Sequence, residues 1–303
     1  MDSLAAALTP LEGGHSGETF LAEAAGEQSV VRIYGERSAW RGPRAVEVDA
    51  ALLRLVRGLL PVPEVREVRR PDPDAGLPGL LVTSLLPGTR LDLVLPGCPS
   101  ELRSTIGTNL GTLLARLGQM PFLRPGMFLD GDLNVGSLPE DDLTAWVRRH
   151  LSALEEWAEQ DRAALLAVAE DAQAVLDEVT RFCLVHSDFN AKNILVDPDT
   201  GEVTGLLDWE FAHAGSPYTD LGNLLRFERD PDLVAALFDR YLDLMPRGPD
   251  RATVMERARA ADLWALVDLA ARREANPVAR QAHDLLLGLA RSGDLHDGPA
   301  LTL

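Results

Sequence analysis

The chain has 303 residues, of which 46% are hydrophobic and 25% are charged, as is typical of soluble globular proteins with one large or two ordinary domains. Its formal net charge of −18 at pH 7 argues against a nucleic-acid partner, because phosphate backbones would be repelled. No run of about eighteen apolar residues occurs, so we expect neither a membrane-spanning helix nor a membrane partner.

The first residues and the cysteines indicate the compartment. Residues 1–7 lack the basic segment and the long apolar core of a secretory signal. The two cysteines are Cys98 and Cys183, and without a secretory context we expect both to be free thiols. The sequence therefore predicts a cytoplasmic protein. We expect it to be either a monomer or a weak homodimer.

A glycine-rich hairpin is the first predicted element. Gly13, Gly14 and Gly17 precede a stretch of alternating hydrophobicity over 19–23, and a second strand is predicted over 29–34. Glycines of this kind let backbone N–H groups approach phosphates closely. Glycine-rich hairpins also occur without a ligand, so this feature indicates a phosphate site only in combination with others.

The chain then passes from short strands to helices. Apolar spacing predicts a helix over 43–56 and a strand over 64–69. The apolar stretch 80–86 is followed by Pro-Gly, which is typical of a buried strand that runs into a hinge. Helical periodicity predicts further helices over 101–117, from 139 onward, and over 163–179, 232–245, 250–273 and 278–291.

The most informative stretch is 183–220, which reads CLVHSDFNAKNILVDPDTGEVTGLLDWEFAHAGSPYTD. Two runs rich in branched residues, 193–196 and 203–207, flank an Asp-Pro-Asp-Thr-Gly segment and predict a β-hairpin. Asn193 opens the first strand, and Asp208 follows the second. Folding of the hairpin should therefore bring these two side chains together.

Asn193 and Asp208 are the predicted metal ligands. Both offer the hard oxygen atoms that Mg²⁺ prefers, and Mg²⁺ held by one or two protein groups completes its shell with phosphate oxygens and water. Asp188, five residues ahead of Asn193, is the predicted catalytic residue, which accepts a hydroxyl proton or orients the nucleophile. This spacing is the pattern of phosphoryl-transfer enzymes, in which His-x-Asp is followed after four residues by Asn and, about a hairpin later, by a second Asp.

The sequence departs from the protein-kinase form of this pattern, and the departures indicate which class of kinase it resembles. Asp208-Trp209-Glu210 replaces Asp-Phe-Gly, Gly215-x-Pro217 and Asp220-Leu221 follow, and no Ala-Pro-Glu segment occurs downstream. In these features the chain resembles the aminoglycoside phosphotransferase and choline kinase family of small-molecule kinases. The resemblance covers nearly the whole chain. It implies an α+β, bilobal, protein-kinase-like fold, with a small β-rich nucleotide-binding lobe over 1–86 and a larger, mainly helical lobe over 87–303 that carries the catalytic loop and substrate site.

The resemblance also implies a set of contacts to ATP or GTP, the phosphoryl donor. Ser16 in the glycine loop is expected to contact phosphate. Arg32 stands where the family usually carries a strand lysine, and its expected partner is Glu47 on the following helix. Arginine keeps the charge but differs in geometry and reach. The backbone from Ser84 to Leu86 is expected to pair with adenine.

Three other residues of the motif receive supporting roles. His186 is expected to hold the catalytic loop by hydrogen bonds. Asp220 could cap a helix, whereas the resemblance implies that it supports the catalytic loop. Lys192, the sole lysine among 29 basic residues, is expected to steady the phosphates together with Arg32.

Acidic residues in the predicted helical lobe indicate a cationic small-molecule substrate. They are Glu155, Glu156, Glu159, Asp161, Glu228, Asp230, Asp232, Asp268 and Glu274. Ammonium groups need anionic partners or water when bound, whereas an aromatic content of 5% offers few side chains for a choline cage. We therefore expect an aminoglycoside or a basic cyclic-peptide antibiotic, inactivated by phosphorylation. Two alternatives remain. One is a housekeeping kinase for an amino alcohol or sugar. The other is a non-catalytic nucleotide-binding pseudokinase, which is suggested by Arg32 in place of the family's usual lysine.

Overall fold

The computed structural model describes residues 7–11, 19–24, 26–228, 230–245 and 247–296. Its N-terminal part is an antiparallel sheet of five strands, β1 (Ala7–Pro10), β2 (Thr19–Ala24), β3 (Glu27–Tyr34), β4 (Val65–Arg69) and β5 (Gly79–Ser84). The spatial order is β1-β2-β3-β5-β4. Burial alternates along β5, as expected of a strand with one face against an apolar core.

One helix, α1 (Ala45–Val56), packs against this sheet, and a 3-10 helix over Glu36–Arg41 connects it to β3. The contact is close at Gly79, where an added Cβ would lie 3.3 Å from Cγ1 of Val46. The absence of a side chain at Gly79 thus lets the helix approach the strand. The predicted β-rich N-terminal part with one helix is confirmed.

Two small antiparallel sheets follow in the second part of the chain. One contains β6 (Thr89–Arg90), β10 (Ile194–Val196) and β11 (Val203–Leu206), and the other contains β7 (Pro121–Phe122), β8 (Gly126–Met127), β9 (Phe182–Val185) and β12 (His213–Gly215). Strands β10 and β11 pair with Ile194 opposite Leu206. The predicted hairpin around 197–201 is therefore confirmed.

The other regular elements of this part are helices. They are α2 (Leu91–Val94), α3 (Ser100–Gly118), α4 (Leu143–His150), α5 (Glu159–Asp177), α6 (Thr219–Leu225), α7 (Pro231–Leu244), α8 (Arg251–Ala270) and α9 (Pro277–Ser292), with 3-10 turns at Leu95–Gly97 and Leu151–Leu154. A sheet lobe and a helical lobe result. The predicted α+β, bilobal architecture is confirmed.

Two helix starts differ from the predictions more than the others do. The helix expected from 139 begins at Leu143, because the Asp142 side chain accepts a hydrogen bond from the Ala145 N–H (2.8 Å) and caps the helix there. The helix expected over 163–179 begins earlier, at Glu159. Its first turn carries acidic residues, which favour a helix N-terminus.

Helices α3 and α7 pack closely along each other. Gly107 and Gly111 stand one helical turn apart on α3, and an added Cβ at either position would clash with the carbonyl oxygens of Leu233 and Leu237 on α7. Glycine at these two positions lets the helix backbones approach. A second apolar core lies between α4, α5, α8 and α9, so the helical lobe has two packed centres.

Two further expectations concern membranes and thiols. Over the described ranges, the chain contains no helix with the length and apolar character needed to cross a bilayer. Cys98 and Cys183 are free thiols, as predicted, and both are buried. Burial, with a smaller contribution from the nearby Asp220, raises the pKa of the Cys183 thiol to about 12, so this thiol stays protonated and unreactive at neutral pH.

Candidate active site

The loop between β9 and β10, residues 186–193, is anchored by Asp220 in the first turn of α6. The Asp220 carboxylate accepts hydrogen bonds from the backbone N–H groups of His186 (2.8 Å) and Ser187 (2.7 Å). Ser187 has a positive φ of 65°, so the two bonds hold a turn that L-residues rarely adopt. Burial raises the pKa of Asp220, while His186 and the two N–H groups oppose that rise. The expectation that Asp220 supports this loop is confirmed.

His186 connects this loop to the segment before Asp208. Its Nε2 lies 2.8 Å from the Leu207 carbonyl oxygen, and its Nδ1 accepts a hydrogen bond from the Asp188 N–H at 3.3 Å. The ring is buried and meets the Trp209 ring edge-on, with centroids 4.8 Å apart. His186 thus supports the loop by hydrogen bonds, as predicted.

Two amide side chains hold the Asp188 carboxylate. Asn193 Nδ2 donates to Asp188 Oδ2 (2.7 Å) and to the Asp188 carbonyl oxygen (3.0 Å). Asn190 Nδ2 donates to Asp188 Oδ1 (2.7 Å). Each carboxylate oxygen therefore has one donor, and rotation of the group is restricted. We did not predict that Asn190 binds Asp188. The sequence does show an amide side chain two residues after Asp188 on the same loop, and this spacing could have indicated the contact.

The hairpin places Asn193 beside the segment that carries Asp208. The Leu207 N–H donates to the Asn193 carbonyl oxygen at 2.8 Å, and Asp208 is the next residue. Asp208 has a positive φ of 61°, which costs on the order of 1 kcal/mol or more for a non-glycine residue. The next residue, Trp209, is buried, and its Nε1 donates to the Leu206 carbonyl oxygen at 3.1 Å. Packing of Trp209 thus fixes the turn that presents the Asp208 carboxylate.

The donor set fits a Mg²⁺ ion shared with phosphate. Asn193 commits its Nδ2 to Asp188 and leaves Oδ1 as an acceptor, and Asp208 uses only Oδ1 in an ion pair. In the part of the chain that the structure describes, no group of three or more His, Cys, Asp or Glu side chains could hold a metal by itself. Two protein oxygen groups completed by phosphate and water are what Mg²⁺ normally takes.

Arg32 pairs with the segment around Asp208 and not with Glu47, so that prediction is wrong. Arg32 Nη1 lies 2.9 Å from Asp208 Oδ1, and Arg32 Nη2 forms an ion pair with Glu210. Glu47 instead lies 2.5 Å from Nη2 of Arg70. Burial disfavours the charge on Arg32, but Asp208 and the other nearby acids outweigh burial and raise the pKa of Arg32 above its ordinary value.

The register of α1 explains this outcome. Asp49, two residues after Glu47, lies on the buried face of the helix. Its carboxylate accepts hydrogen bonds from Tyr34 Oη (2.5 Å) and Arg41 Nη1 (2.7 Å). The inward-facing acid of α1 is thus Asp49, and it binds two neighbours of Arg32. A periodicity argument places Glu47 next to the apolar face but does not decide which acid faces the sheet.

Glu210 was not predicted as a site residue. Burial and the adjacent Asp208 raise the pKa of the Glu210 carboxyl, whereas Arg32 and Arg41 lower it. Its position two residues after Asp208 was the only available signal, because its partner lies on a distant strand.

Of the hinge residues predicted to pair with the nucleobase, Leu86 has free backbone groups within the described part of the chain and Ser84 does not. The Ser84 N–H donates to the Glu64 carbonyl oxygen, and Ser84 Oγ accepts from the Glu64 N–H, both at 2.9 Å. The Ser84 amide is therefore occupied by its neighbouring segment. Leu85 and Leu86 make no backbone hydrogen bond to any described residue, so their N–H and C=O groups stay available to a base.

The other two predicted phosphate contacts are Lys192 and Ser16. Lys192 is exposed on the catalytic loop, and its backbone N–H donates to Asn190 Oδ1 at 3.0 Å. Its ammonium group has no partner among the described residues and is available to an anion. Ser16 lies outside the described residues, together with the glycines of its loop.

A sheet lobe and a helical lobe that meet at a fixed aspartate, an asparagine and a second aspartate define a kinase-like phosphotransferase. A model of the phosphotransferase enzyme family (APH) matches residues 7–257. The chain belongs to this family.

Solved structures share this fold, and one curated relative matches part of the chain. The GDP and kanamycin complex of an APH(2") aminoglycoside phosphotransferase has a TM-score of 0.68 at 17% identity, over 95% of this chain and 94% of that one. A ternary complex of a thermostable mutant of aminoglycoside phosphotransferase APH(4)-Ia with AMP-PNP and hygromycin B has a TM-score of 0.64 at 19% identity, again over 95% and 94%. Mouse acyl-CoA dehydrogenase family member 10 is 25% identical over 219 residues, 71% of this chain. The chain spans only 20% of the length of that relative.

Proposed function

We propose that the chain transfers the γ-phosphoryl group of ATP or GTP to a hydroxyl group of a small molecule. The observation that carries this proposal is the Asp188 carboxylate, held by Asn190 and Asn193 at 2.7 Å on each oxygen. A carboxylate fixed in this way is suited to orient an acceptor hydroxyl and to accept its proton. Catalysis would come mainly from alignment and from charge neutralisation.

The remaining site residues bind the nucleotide in this proposal. Asn193 and Asp208 hold Mg²⁺, which when bound neutralises charge on the transferred phosphoryl group. Arg32 and Lys192 contact phosphate, and the free backbone groups at Leu86 pair with the base. We further propose that the nucleotide-binding lobe comprises residues 1–86, that residues 87–303 carry the acceptor site, and that the protein is a cytoplasmic monomer or weak homodimer.

For the acceptor we propose a cationic antibiotic, either an aminoglycoside or a basic cyclic peptide. The formal net charge of −18 favours a cationic ligand through long-range attraction. The structures cited above contain kanamycin and hygromycin B bound to proteins of the same fold. Phosphorylation would add negative charge to a ligand that is recognised by its positive charge, and this would confer resistance.

A housekeeping metabolite kinase is the second candidate, and the ion pairs of the helical lobe favour it. Several of the acids expected to face a polycation are paired with arginine instead: Asp161 with Arg291, Asp230 with Arg103, Glu156 with Arg273, and Asp268 with Arg272. A carboxylate with a guanidinium partner offers less to an incoming ammonium group. The match to an acyl-CoA dehydrogenase family member adds hydroxyl-bearing acyl-CoA compounds to the acceptors worth testing.

A coupled nucleotide-consumption assay separates the two candidates. Purified protein with MgATP or MgGTP is tested against aminoglycosides, basic cyclic peptides, choline, sugars and a hydroxyacyl-CoA. Turnover with the first two classes supports the antibiotic kinase, and turnover confined to the others supports the metabolic kinase. No acceptor-dependent consumption with any class, together with intact nucleotide binding, would favour the pseudokinase and refute the proposal.

A further inference from the structure

The acid that accompanies Arg32 comes from the helical lobe. The Arg32 side chain is only 15% exposed, and the Glu210 side chain that pairs with it is 19% exposed. Over the described residues, Asp208 and Glu210 are the two carboxylates that form ion pairs with Arg32. A buried guanidinium requires such partners, because burial of an unpaired charge is costly.

The two partners of Arg32 differ in what else they must do. Asp208 is a proposed Mg²⁺ ligand, so its charge is shared with a divalent cation when the nucleotide is bound. Arg32 is then repelled by that cation and loses part of its attraction to Asp208. Glu210 has no proposed part in metal binding and can keep its ion pair with Arg32 throughout.

The structure holds Glu210 in place by a second contact between the lobes. Phe211, the next residue, stacks on Trp40 of the 3-10 helix that precedes α1, with ring centroids 5.7 Å apart and planes inclined by 26°. The sheet lobe thus contacts the segment 208–211 twice, through Arg32 and through Trp40. A carboxylate on a segment fixed at both sides can position its partner with little loss of conformational freedom.

One nitrogen of Arg32 also has no acceptor in the part of the chain that the structure describes. Its Nε is buried and has no hydrogen-bond acceptor among the described residues, whereas its two terminal nitrogens are occupied by Asp208 and Glu210. Buried donors are rarely left unpaired. A phosphate oxygen brought into the site would supply an acceptor while the Glu210 ion pair remains intact.

We propose that Glu210 is the positioning residue for Arg32: it holds the guanidinium ready for nucleotide phosphates while Asp208 is engaged by the metal. This assignment rests on the proposed phosphotransferase function, since it presumes a bound Mg²⁺–nucleotide. Glu210 thus takes the place of Glu47, the first acid of α1, which was the expected partner of Arg32.

The test is a double-mutant cycle on nucleotide binding, read without turnover. The dissociation constant of a Mg²⁺-bound, non-hydrolysable ATP or GTP analogue is measured by calorimetry for the wild type, Glu210→Gln, Arg32→Met and the double variant. We expect each single substitution to weaken binding about tenfold, and the double variant to bind no more weakly than Arg32→Met, because Glu210 acts through Arg32. Glu210→Asp, which keeps the charge, should restore part of the loss.

The control is Asp161→Asn, which removes the ion pair to Arg291 (2.9 Å) between α5 and α9. It should lower the melting temperature without changing the dissociation constant, and this separates nucleotide positioning from general stability. Unchanged binding in Glu210→Gln, or losses that multiply to about a hundredfold in the double variant, would overturn the inference while leaving the phosphotransferase proposal intact. Absence of binding by the wild type, measured first, would remove both.

Discussion

Replacement of Asp220 by asparagine should damage both stability and turnover. The Asp220 carboxylate accepts two short backbone hydrogen bonds from His186 and Ser187 (2.8 and 2.7 Å) in a buried position. Asparagine has the same shape but only one acceptor oxygen. Its amide nitrogen would face a backbone N–H, so one of the two donors would lose its partner.

The magnitude follows from these two contacts. A hydrogen bond to a charged group contributes about 1.5–3 kcal/mol, and a buried donor without a partner costs about 1–3 kcal/mol. Removal of the buried charge offsets part of this loss, since burial already raises the pKa of Asp220. We therefore expect the free energy of unfolding to fall by about 3 kcal/mol. Because the same bonds fix the loop that carries Asp188, kcat should fall more than nucleotide affinity.

Urea denaturation and steady-state kinetics measure the two effects of Asp220→Asn. The matched control is again Asp161→Asn, a buried carboxylate on α5 whose arginine partner lies on α9. It should lose stability with kcat retained. A loss below about 1 kcal/mol in Asp220→Asn, combined with unchanged kcat, would contradict the claim that Asp220 holds the catalytic loop.

Four further predictions concern single sites. Asp188→Ala should abolish turnover while the nucleotide still binds. The coupled assay measures turnover, and calorimetry measures nucleotide binding. Activity within about tenfold of wild type would refute the catalytic role of Asp188. Arg32→Lys should weaken nucleotide binding, because one ammonium group cannot fork onto two carboxylates; appearance of activity from none would instead identify a pseudokinase. Gly111→Ala should lower the free energy of unfolding by about 1–3 kcal/mol through its clash with α7, whereas Gly118→Ala, whose Cβ would lie 3.9 Å from its nearest neighbour, should be nearly neutral by thermal denaturation. The N–H groups of Thr200 and Asp199 hold the pKa of Asp197 below its ordinary value, so its charged form stabilises the fold above the unfolded pKa. Asp197→Asn should therefore be less stable than wild type at neutral pH, and the difference should shrink as pH falls below about 4.

The hairpin that organises the site was predictable because its signals are local. Turn residues between 197 and 201 and the branched runs on either side fix the pairing of β10 with β11, whatever the rest of the chain does. The same is true of the catalytic loop, where Asp188 and Asn193 are five residues apart. Side chains this close in sequence meet through the backbone that joins them.

The partner of Arg32 was not predictable in this way. Its two acids lie more than 170 residues away, at Asp208 and Glu210, and only the packing of one lobe on the other brings them to β3. Whether Glu47 or Asp49 faces the sheet depends on the rotation of α1 about its axis, which apolar periodicity alone does not fix. Such a rotation is decided by contacts such as that between Tyr34 and Asp49.

The acids of the helical lobe show a second limit of sequence reasoning. Composition shows that carboxylates are in excess, but it does not show which of them have arginine neighbours. Asp230, for example, caps α7 and pairs with Arg103 of α3, so a residue taken as a substrate contact serves to join two helices. Charge counts therefore describe the long-range field of this protein better than they describe its acceptor site.

Lys192 has a practical consequence. It is exposed, it lies on the catalytic loop, and it is the sole lysine of the sequence. Amine-directed reagents therefore have one side-chain target in this chain besides the α-amine. A fluorophore attached there would report from within the proposed nucleotide site without any engineered cysteine, and protection of this amine by nucleotide would give a footprint at single-residue resolution.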